Sequence, residues 1–193
     1  GAIAVYFLAR HFNLSIPRLV YPVLIASSGY MLAAQYLKYQ NYRFFSDFSH
    51  WAEIIYRITL TVRPLNQSVE FFMPGFLNYF ANHFVPLVYL LAIPFKFFPF
   101  AETLIVLNVL IMLSAAIPLY KIALLTKRGK TFGLFCATML LWYPTFQYIT
   151  LYEFEMLRFS IPLLLWMLYF WESRQLTWFF VFAGLAILVR EEV

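Results

Sequence analysis

The run TLIVLNVLIMLSAAIPLYKIALL, residues 103–125, decides the fold class of this chain, because it carries a single charged residue, Lys121. A helix of about 20 mostly apolar residues crosses the hydrocarbon core of a bilayer. Lys127, Arg128 and Lys130 follow the run directly, and Lys and Arg in short loops mark the cytoplasmic side. The run therefore predicts a membrane-spanning helix that ends in the cytoplasm.

The composition of the whole chain agrees with this interpretation. Hydrophobic residues make up 63% of it and charged residues only 12%, and the mean hydropathy is +0.75. The net charge of +5 arises from basic residues in short loops between apolar runs, which is the placement of topology signals. No basic stripe with interleaved aromatic residues stands apart from those runs, so we exclude a nucleic-acid partner. The pattern predicts an all-α integral membrane protein.

Five runs are long or apolar enough to be proposed as spanning helices. They are residues 19–38, 103–125, 131–150, 158–171 and 177–190. A sixth run, 84–98, is short and contains Pro86 and Pro94, and proline fits a helix interior poorly. Placing the 127–130 cluster in the cytoplasm leaves no crossing for this run. We therefore expect it to be interfacial or re-entrant, within an outer loop covering 39–102.

The chain begins at Gly1 and ends at Val193, directly after an apolar run. We interpret it as one membrane domain and a fragment of a longer polytopic protein. Its first nine residues are apolar but too short to span a bilayer, and they resemble the tail of an earlier helix.

This threading places ten ionisable residues of interest on the extracytoplasmic side. They are Asp47, His50, Glu53, His83, Glu153, Glu155, Arg158, Arg190, Glu191 and Glu192. A short helix is predicted over 47–57, with Ser46 or Asp47 as its N-cap. Glu53 and Arg57 would then form an i,i+4 pair on it.

Several motifs in a fixed order carry a resemblance to a known family. They are Asn82-His83-Phe84-Val85-Pro86-Leu87, Phe98-Pro99, Thr103-Leu104, Ile117-Pro118-Leu119-Tyr120, Tyr143-Pro144, Leu151-Tyr152-Glu153-Phe154, Ile161-Pro162-Leu163-Leu164 and Arg190-Glu191-Glu192-Val193. Over about residues 44–193 the chain resembles a family of predicted prokaryotic multi-pass membrane proteins of unknown function. That family looks related to the GT-C glycosyltransferases, which use sugars linked to polyprenyl phosphate.

The GT-C resemblance implies a polytopic helical bundle in which a long extracytoplasmic loop of interfacial helices follows the first spanning helix. It also implies an acidic catalytic residue just after that helix, and Asp47 occupies the matching place. The family pattern near residue 153 reads Asp-Phe-His-Pro-Glu, whereas this chain has Glu153-Phe154-Glu155-Met156-Leu157. The His and the second acid of that pattern are missing at their positions, although Glu155 restores one carboxylate nearby.

Three carboxylates are the candidate catalytic residues. Asp47 would act as a general base on an acceptor hydroxyl, or with Glu155 would bind a divalent metal that steadies a leaving phosphate. Its alternative role is that of a helix N-cap. Glu153 and Glu155 would meet only if their segment is extended, since residues at i and i+2 diverge on a helix. Their alternative is a solvated loop paired with Arg158.

Arg190, His83 and Arg158 are the candidates for binding a lipid phosphate, because guanidinium groups match phosphate oxygens. Arg190 could equally belong to an ordinary helix-end cluster with Glu191 and Glu192. His83 could merely cap the interfacial segment. The three His residues have no metal-ligand spacing, and P-loop, Rossmann and nucleophile-elbow motifs are missing.

The leading functional hypothesis is a GT-C-like glycosyltransferase in the prokaryotic inner membrane. It would move a sugar from a polyprenyl phosphate to an acceptor at the extracytoplasmic face. The alternative is a non-catalytic subunit of a membrane complex that keeps the fold and binds other membrane subunits. A lipid or solute transporter is third, because the charges gather at one face and no internal repeat is evident.

Overall fold

The computed structural model describes residues 17–44, 46–67, 71, 74, 75 and 77–191, and these ranges fold into helices joined by turns. The α-helices are α1 Pro17–Gln40, α2 Ser46–Thr61, α3 Val88–Phe97, α4 Ala101–Leu113, α5 Ala116–Leu125, α6 Lys130–Trp142, α7 Pro144–Tyr152, α8 Ser160–Glu172 and α9 Leu176–Ile187. Two 3₁₀ turns cover Tyr79–Ala81 and Met156–Phe159. The apolar run at the N-terminus and Glu192 lie outside the described residues.

The decisive run forms α4 and α5, which together make a 25-residue helical stretch, Ala101–Leu125. Of the helices in the described ranges, this stretch alone is both long and apolar enough to cross a membrane. A local irregularity at Ser114 and Ala115 separates its two halves. Proline has no N–H, so Pro118 cannot donate to the carbonyl of Ser114, which accepts from the amide of Ile117 instead at 3.0 Å.

The run 131–150, expected as one helix, is two helices. Pro144 excludes the helical conformation from the residue before it, and Tyr143 is accordingly extended, with φ −69° and ψ 124°. Pro144 is the first residue of α7, a position at which a backbone N–H has no partner within the helix, so the missing N–H of proline breaks no hydrogen bond there.

The proline-containing run 84–98 forms the short helix α3, which packs on α2 and buries Val88, Leu91 and Phe95. Ten residues give α3 a length of about 15 Å, half the thickness of a bilayer core. The amide of Leu87, just before α3, donates to the carbonyl of Leu188 after α9 at 2.9 Å. The interfacial or re-entrant placement of this run stays a prediction.

The helices enclose one apolar core that includes Met31, Ile54, Leu104, Met112 and Phe154. The most extensive helix contacts are those of α8 with α9 and of α5 with α6. The expected i,i+4 pair on α2 is confirmed, with Arg57 Nε 3.7 Å from Glu53 Oε1.

The bundle has two chemically different ends. The turn 153–158 precedes α8, and the 13-residue helix then runs about 20 Å away from it. Lys121, in the last turns of α5, lies over the rings of Trp166 and Tyr169 in the second half of α8, at 5.1 Å each. The loop that follows α5, with Lys127, therefore lies far from Glu153 and Glu155. We call the end with the loop after α5 the basic end, and the end with the turn 153–158 the carboxylate end.

Candidate functional site

The helix that carries Asp47 is held at its N-terminus by Glu153. The amide of Phe48 donates to Glu153 Oε2 at 2.9 Å, across 105 positions of sequence. A helix N-terminus leaves its first amides unpaired and carries a partial positive charge, so a carboxylate there is stabilising. Glu153 is completely buried in this role. The N-cap expected from Ser46 or Asp47 is not what the structure has, because both residues lie within α2.

The segment that brings Glu153 to this place is fixed by polar residues at the end of α7. The carbonyl of Thr150 accepts from Gln35 Nε2 at 2.6 Å and from Asn108 Nδ2 at 3.0 Å. Lys38 Nζ donates to the carbonyl of Tyr152. These carbonyls belong to the last turn of a helix and have no intrahelical partners. The polar residues of α1 and α4 thus anchor the start of the 153–158 turn.

Arg190 lies between two candidate residues from different parts of the chain. Its Nη1 is 3.7 Å from Glu155 Oε1, and its Nη2 is 2.6 Å from His83 Nε2. The side chain of Arg190 is largely buried, with 17% of its surface exposed. Arg190, His83 and Glu155, all predicted from sequence as site residues, are therefore in contact.

Glu191 completes this contact and defines the tautomer of His83. Glu191 Oε1 is 2.7 Å from His83 Nδ1, and its Oε2 accepts from the amide of Phe84 at 2.9 Å. An ionised carboxylate can only accept a hydrogen bond, so we assign the hydrogen of the imidazole to Nδ1. The lone pair on Nε2 then accepts from Arg190. We call Glu155, Arg190, His83 and Glu191 the clasp.

The direction in which the pKa of Glu191 is shifted agrees with this assignment of the His83 hydrogen. The hydrogen bond with His83 is the main cause that lowers the pKa of Glu191 below its ordinary value, and the amide of Phe84 acts in the same direction. The carboxylate of Glu191 is therefore ionised at neutral pH.

Arg158 lies beside the clasp but is held differently. Its Nη1 donates to the backbone carbonyl of Glu153, and its guanidinium lies 5.3 Å from the centre of the Tyr152 ring. The alternative reading of the two glutamates, an ion pair with Arg158, is not found among the ion pairs of the described residues. The charges of Glu155, Glu153 and Asp47 nevertheless all act on this guanidinium. Arg158 is thus positioned by backbone while several of its N–H groups stay available.

Asp47 is the second residue of α2 and is half-buried at the carboxylate end. Within the described ranges its carboxylate accepts no hydrogen bond and forms no ion pair. Asp47 is therefore a carboxylate held in place by its backbone, with its oxygens left for another molecule.

Tyr79 is a site residue that the sequence analysis missed. It packs edge-on against Trp51, with ring centres 5.1 Å apart, and its amide donates to the carbonyl of Pro64 at 2.8 Å. Burial raises the pKa of its phenol, and the carboxylate of Glu155 raises it further. Arg190, Asp47 and Glu191 also act on this phenol, which places it among the charged groups. Tyr79 therefore remains a neutral hydroxyl.

No motif distinguishes Tyr79 from the other tyrosines of the chain. The one signal in the sequence is its position four residues before His83. In the structure the ring centres of Tyr79 and His83 are 6.0 Å apart. That spacing would bring the two side chains to the same side of a helical turn.

The divalent metal expected at Asp47 and Glu155 finds no complete set of ligands in the described part of the chain. No group of three or more His, Cys, Asp or Glu side chains is arranged there to hold a metal ion. The metal stays a prediction, and the clasp groups are instead engaged with one another.

A comparison with protein families matches residues 47–193 to DUF2079, described as a predicted membrane protein. The chain belongs to this family. The match begins at Asp47 and includes every residue of the site apart from Lys38 and Gln35 on α1. No curated protein and no solved structure matches the chain.

Proposed function

We propose that this DUF2079 protein is a GT-C-like membrane glycosyltransferase that takes a sugar from a polyprenyl-phosphate donor at the carboxylate end of the bundle. The observation that carries the proposal is that the charge of Asp47 acts on both Tyr79 and Arg158, which lie beside the clasp. Asp47, the clasp and Arg158 come from four separate stretches of the chain, and Asp47 is the carboxylate among them that lacks a protein partner within the described residues.

In the proposed reaction Asp47 accepts the proton of an acceptor hydroxyl, whose oxygen attacks the anomeric carbon of the sugar. The bond between that carbon and the phosphate oxygen breaks, and the polyprenyl phosphate leaves with the electron pair. Arg158 faces the developing negative charge, because a guanidinium has five N–H donors and Arg158 gives only Nη1 to a protein hydrogen bond among the described residues.

The remaining residues of the site hold the reacting groups in place. Glu153 holds the N-terminus of α2 and hence the backbone of Asp47. Arg190 and His83 hold Glu155 and the end of α9 around the site, and Tyr79 offers a hydroxyl that stays protonated. Glu153, predicted as a catalytic group, is a positioning residue in this proposal.

The test uses the full-length protein reconstituted in vesicles with a panel of polyprenyl-phosphate hexoses, and it measures the release of polyprenyl phosphate. We expect Asp47→Asn to slow release by about 100-fold or more, the contribution typical of a general base. The matched control is Glu53→Gln, a carboxylate two turns further along α2 that pairs with Arg57. Glu53→Gln should release the lipid at a rate close to that of the wild type. Normal release by Asp47→Asn would overturn the proposal.

One observation favours the alternative, a non-catalytic subunit of a membrane complex. The clasp residues form ion pairs and hydrogen bonds with one another, as they would in a purely structural contact. Mass spectrometry of the purified wild type and of Arg158→Ala distinguishes the two functions. A polyprenyl phosphate bound to the wild type and lost from the variant supports the transferase. Failure to hold this lipid, with other polypeptides present at a fixed ratio, supports the subunit.

A further inference from the structure

A cavity lies toward the basic end, between α1, α5 and α6, and has a volume of about 420 Å³. This is within the range of sites that bind small molecules. Its walls are mostly apolar, and its lining includes Leu24, Tyr120, Lys121, Leu134, Ala137 and Thr138. It shares no lining residue with the carboxylate end.

Lys121 is the charged residue of this lining, and no carboxylate of the described residues pairs with it. Within the described residues it forms no ion pair, and its ammonium contacts only the faces of Trp166 and Tyr169. A charge inside an apolar helix is costly unless it finds a partner. Lys127, Arg128 and Lys130 follow in the loop after α5 and add positive charge at the same end. Positive charge is therefore concentrated beside the cavity and at the end of the bundle toward which it lies, and this charge suits an anion.

Thr138 adds a polar group to the wall of the cavity. It is 1% exposed, and its hydroxyl has no hydrogen-bond partner in the described part of the chain. Gly133 of α6 faces Tyr120 of α5, so Thr138 lies about 7 Å further along α6, on the side away from Lys127. An ester carbonyl located below a headgroup is an acceptor that suits such a hydroxyl.

We propose that this cavity binds one acyl chain of an anionic phospholipid, whose headgroup phosphate pairs with Lys121. The apolar walls alone would give no preference for this lipid, because the bilayer is as apolar as the cavity. The preference for an anionic lipid must therefore come from the positive charge of Lys121. Basic pockets between helices are known to bind anionic headgroups.

The test places the full-length protein in nanodiscs of equal parts phosphatidylglycerol and phosphatidylcholine and counts retained lipids by native mass spectrometry. We expect the wild type to retain one phosphatidylglycerol with a preference of about fivefold, which one Lys near an anionic surface can provide. Lys121→Gln should remove the preference. Ala137→Phe should weaken retention, because its ring would project into the cavity and take up space that the acyl chain needs.

Lys96→Gln is the matched control, because Lys96 is a lysine near the end of an apolar helix, α3, but is exposed and does not line the cavity. It should retain phosphatidylglycerol like the wild type. Lys121→Arg keeps the charge and should retain the lipid as well, which separates loss of charge from loss of folding.

Equal retention of the two lipids by the wild type, or an unchanged preference in Lys121→Gln, would overturn the proposal. A polyprenyl phosphate retained at Lys121 in place of phosphatidylglycerol would overturn it too. These outcomes do not depend on the transferase, because no residue of the carboxylate end is altered.

Discussion

The two ends of the bundle are stabilised by different forces. At the carboxylate end, ionised and polar groups pair across the chain, as in the contacts of Glu153 with Phe48 and of Arg190 with His83. At the basic end, α5 and α6 approach through the apolar contact of Gly133 with Tyr120, and Lys121 finds only aromatic faces. A helix bundle can therefore place its charged contacts where several helices end while it packs the opposite end with apolar side chains.

The largest effect on stability that this comparison predicts is at Glu153. Replacing it with Ala removes a buried acceptor and leaves the amide of Phe48 unsatisfied, which should cost about 1.5–3 kcal/mol. The measurement is the free energy of unfolding in mild detergent. Glu153→Gln keeps an oxygen at the same place and should cost less. Equal losses in the two variants would show that the charge, and not the hydrogen bond, holds α2.

A smaller effect is expected at the basic end from Gly133→Ala. The added Cβ would lie 2.8 Å from Cδ2 of Tyr120 and 3.2 Å from its carbonyl oxygen, so α5 and α6 must separate. Such overpacking costs about 1–3 kcal/mol, from which the better helix propensity of Ala recovers up to about 1.

The matched control is Gly184→Ala in α9, where an added Cβ meets nothing within 4 Å. This variant should be as stable as the wild type or slightly more so, because Ala favours the helix. Destabilisation of Gly184→Ala to the same degree would mean that the close approach at Tyr120 is not the cause.

The smallest effect is a local response to acid at Glu191. Its pKa is lowered in the folded protein, so its stabilising contribution is present above its ordinary value of 4.5 and is lost as the pH falls through the lower folded value. Hydrogen exchange of the Phe84 amide, corrected for the intrinsic effect of pH, should reveal this loss.

Glu191→Gln should abolish the acid response, because it cannot ionise, and Lys121→Gln should leave it intact. A response that is the same in the wild type and in Glu191→Gln would assign the effect to another group.

Proline positions and charge placement predicted much of the helical pattern. The sequence indicated helices near 19–38 and 103–125 and separated the basic cluster from the acidic residues, because these are local properties of composition and period. It missed the interruption of 131–150, although Pro144 was its visible cause. Which of the helices cross a bilayer remains a prediction, and within the described residues Ala101–Leu125 is the stretch with the required length and apolarity.

The sequence indicated which residues belong to the candidate site, but it did not indicate what each residue does there. Asp47, Glu155, Arg158, Arg190 and His83 were singled out because charge is rare in an apolar chain. That Glu153 caps α2, and that Tyr79 lies among the charged groups, could not be derived from local pattern. The partners of these residues lie elsewhere in the sequence, and periodicity carries no information about such contacts.

The sequence by itself determined that this is an apolar helical chain of a predicted membrane protein family, because apolar content, proline breaks and loop charges act locally. Only the tertiary structure decided which charges meet. Arg190 and His83 are 107 positions apart, and their contact depends on the packing of α3 against α2 and of α9 against α8. Packing selects one pairing among many that the same charges would allow, since ion pairs are specific only where helices hold them in place.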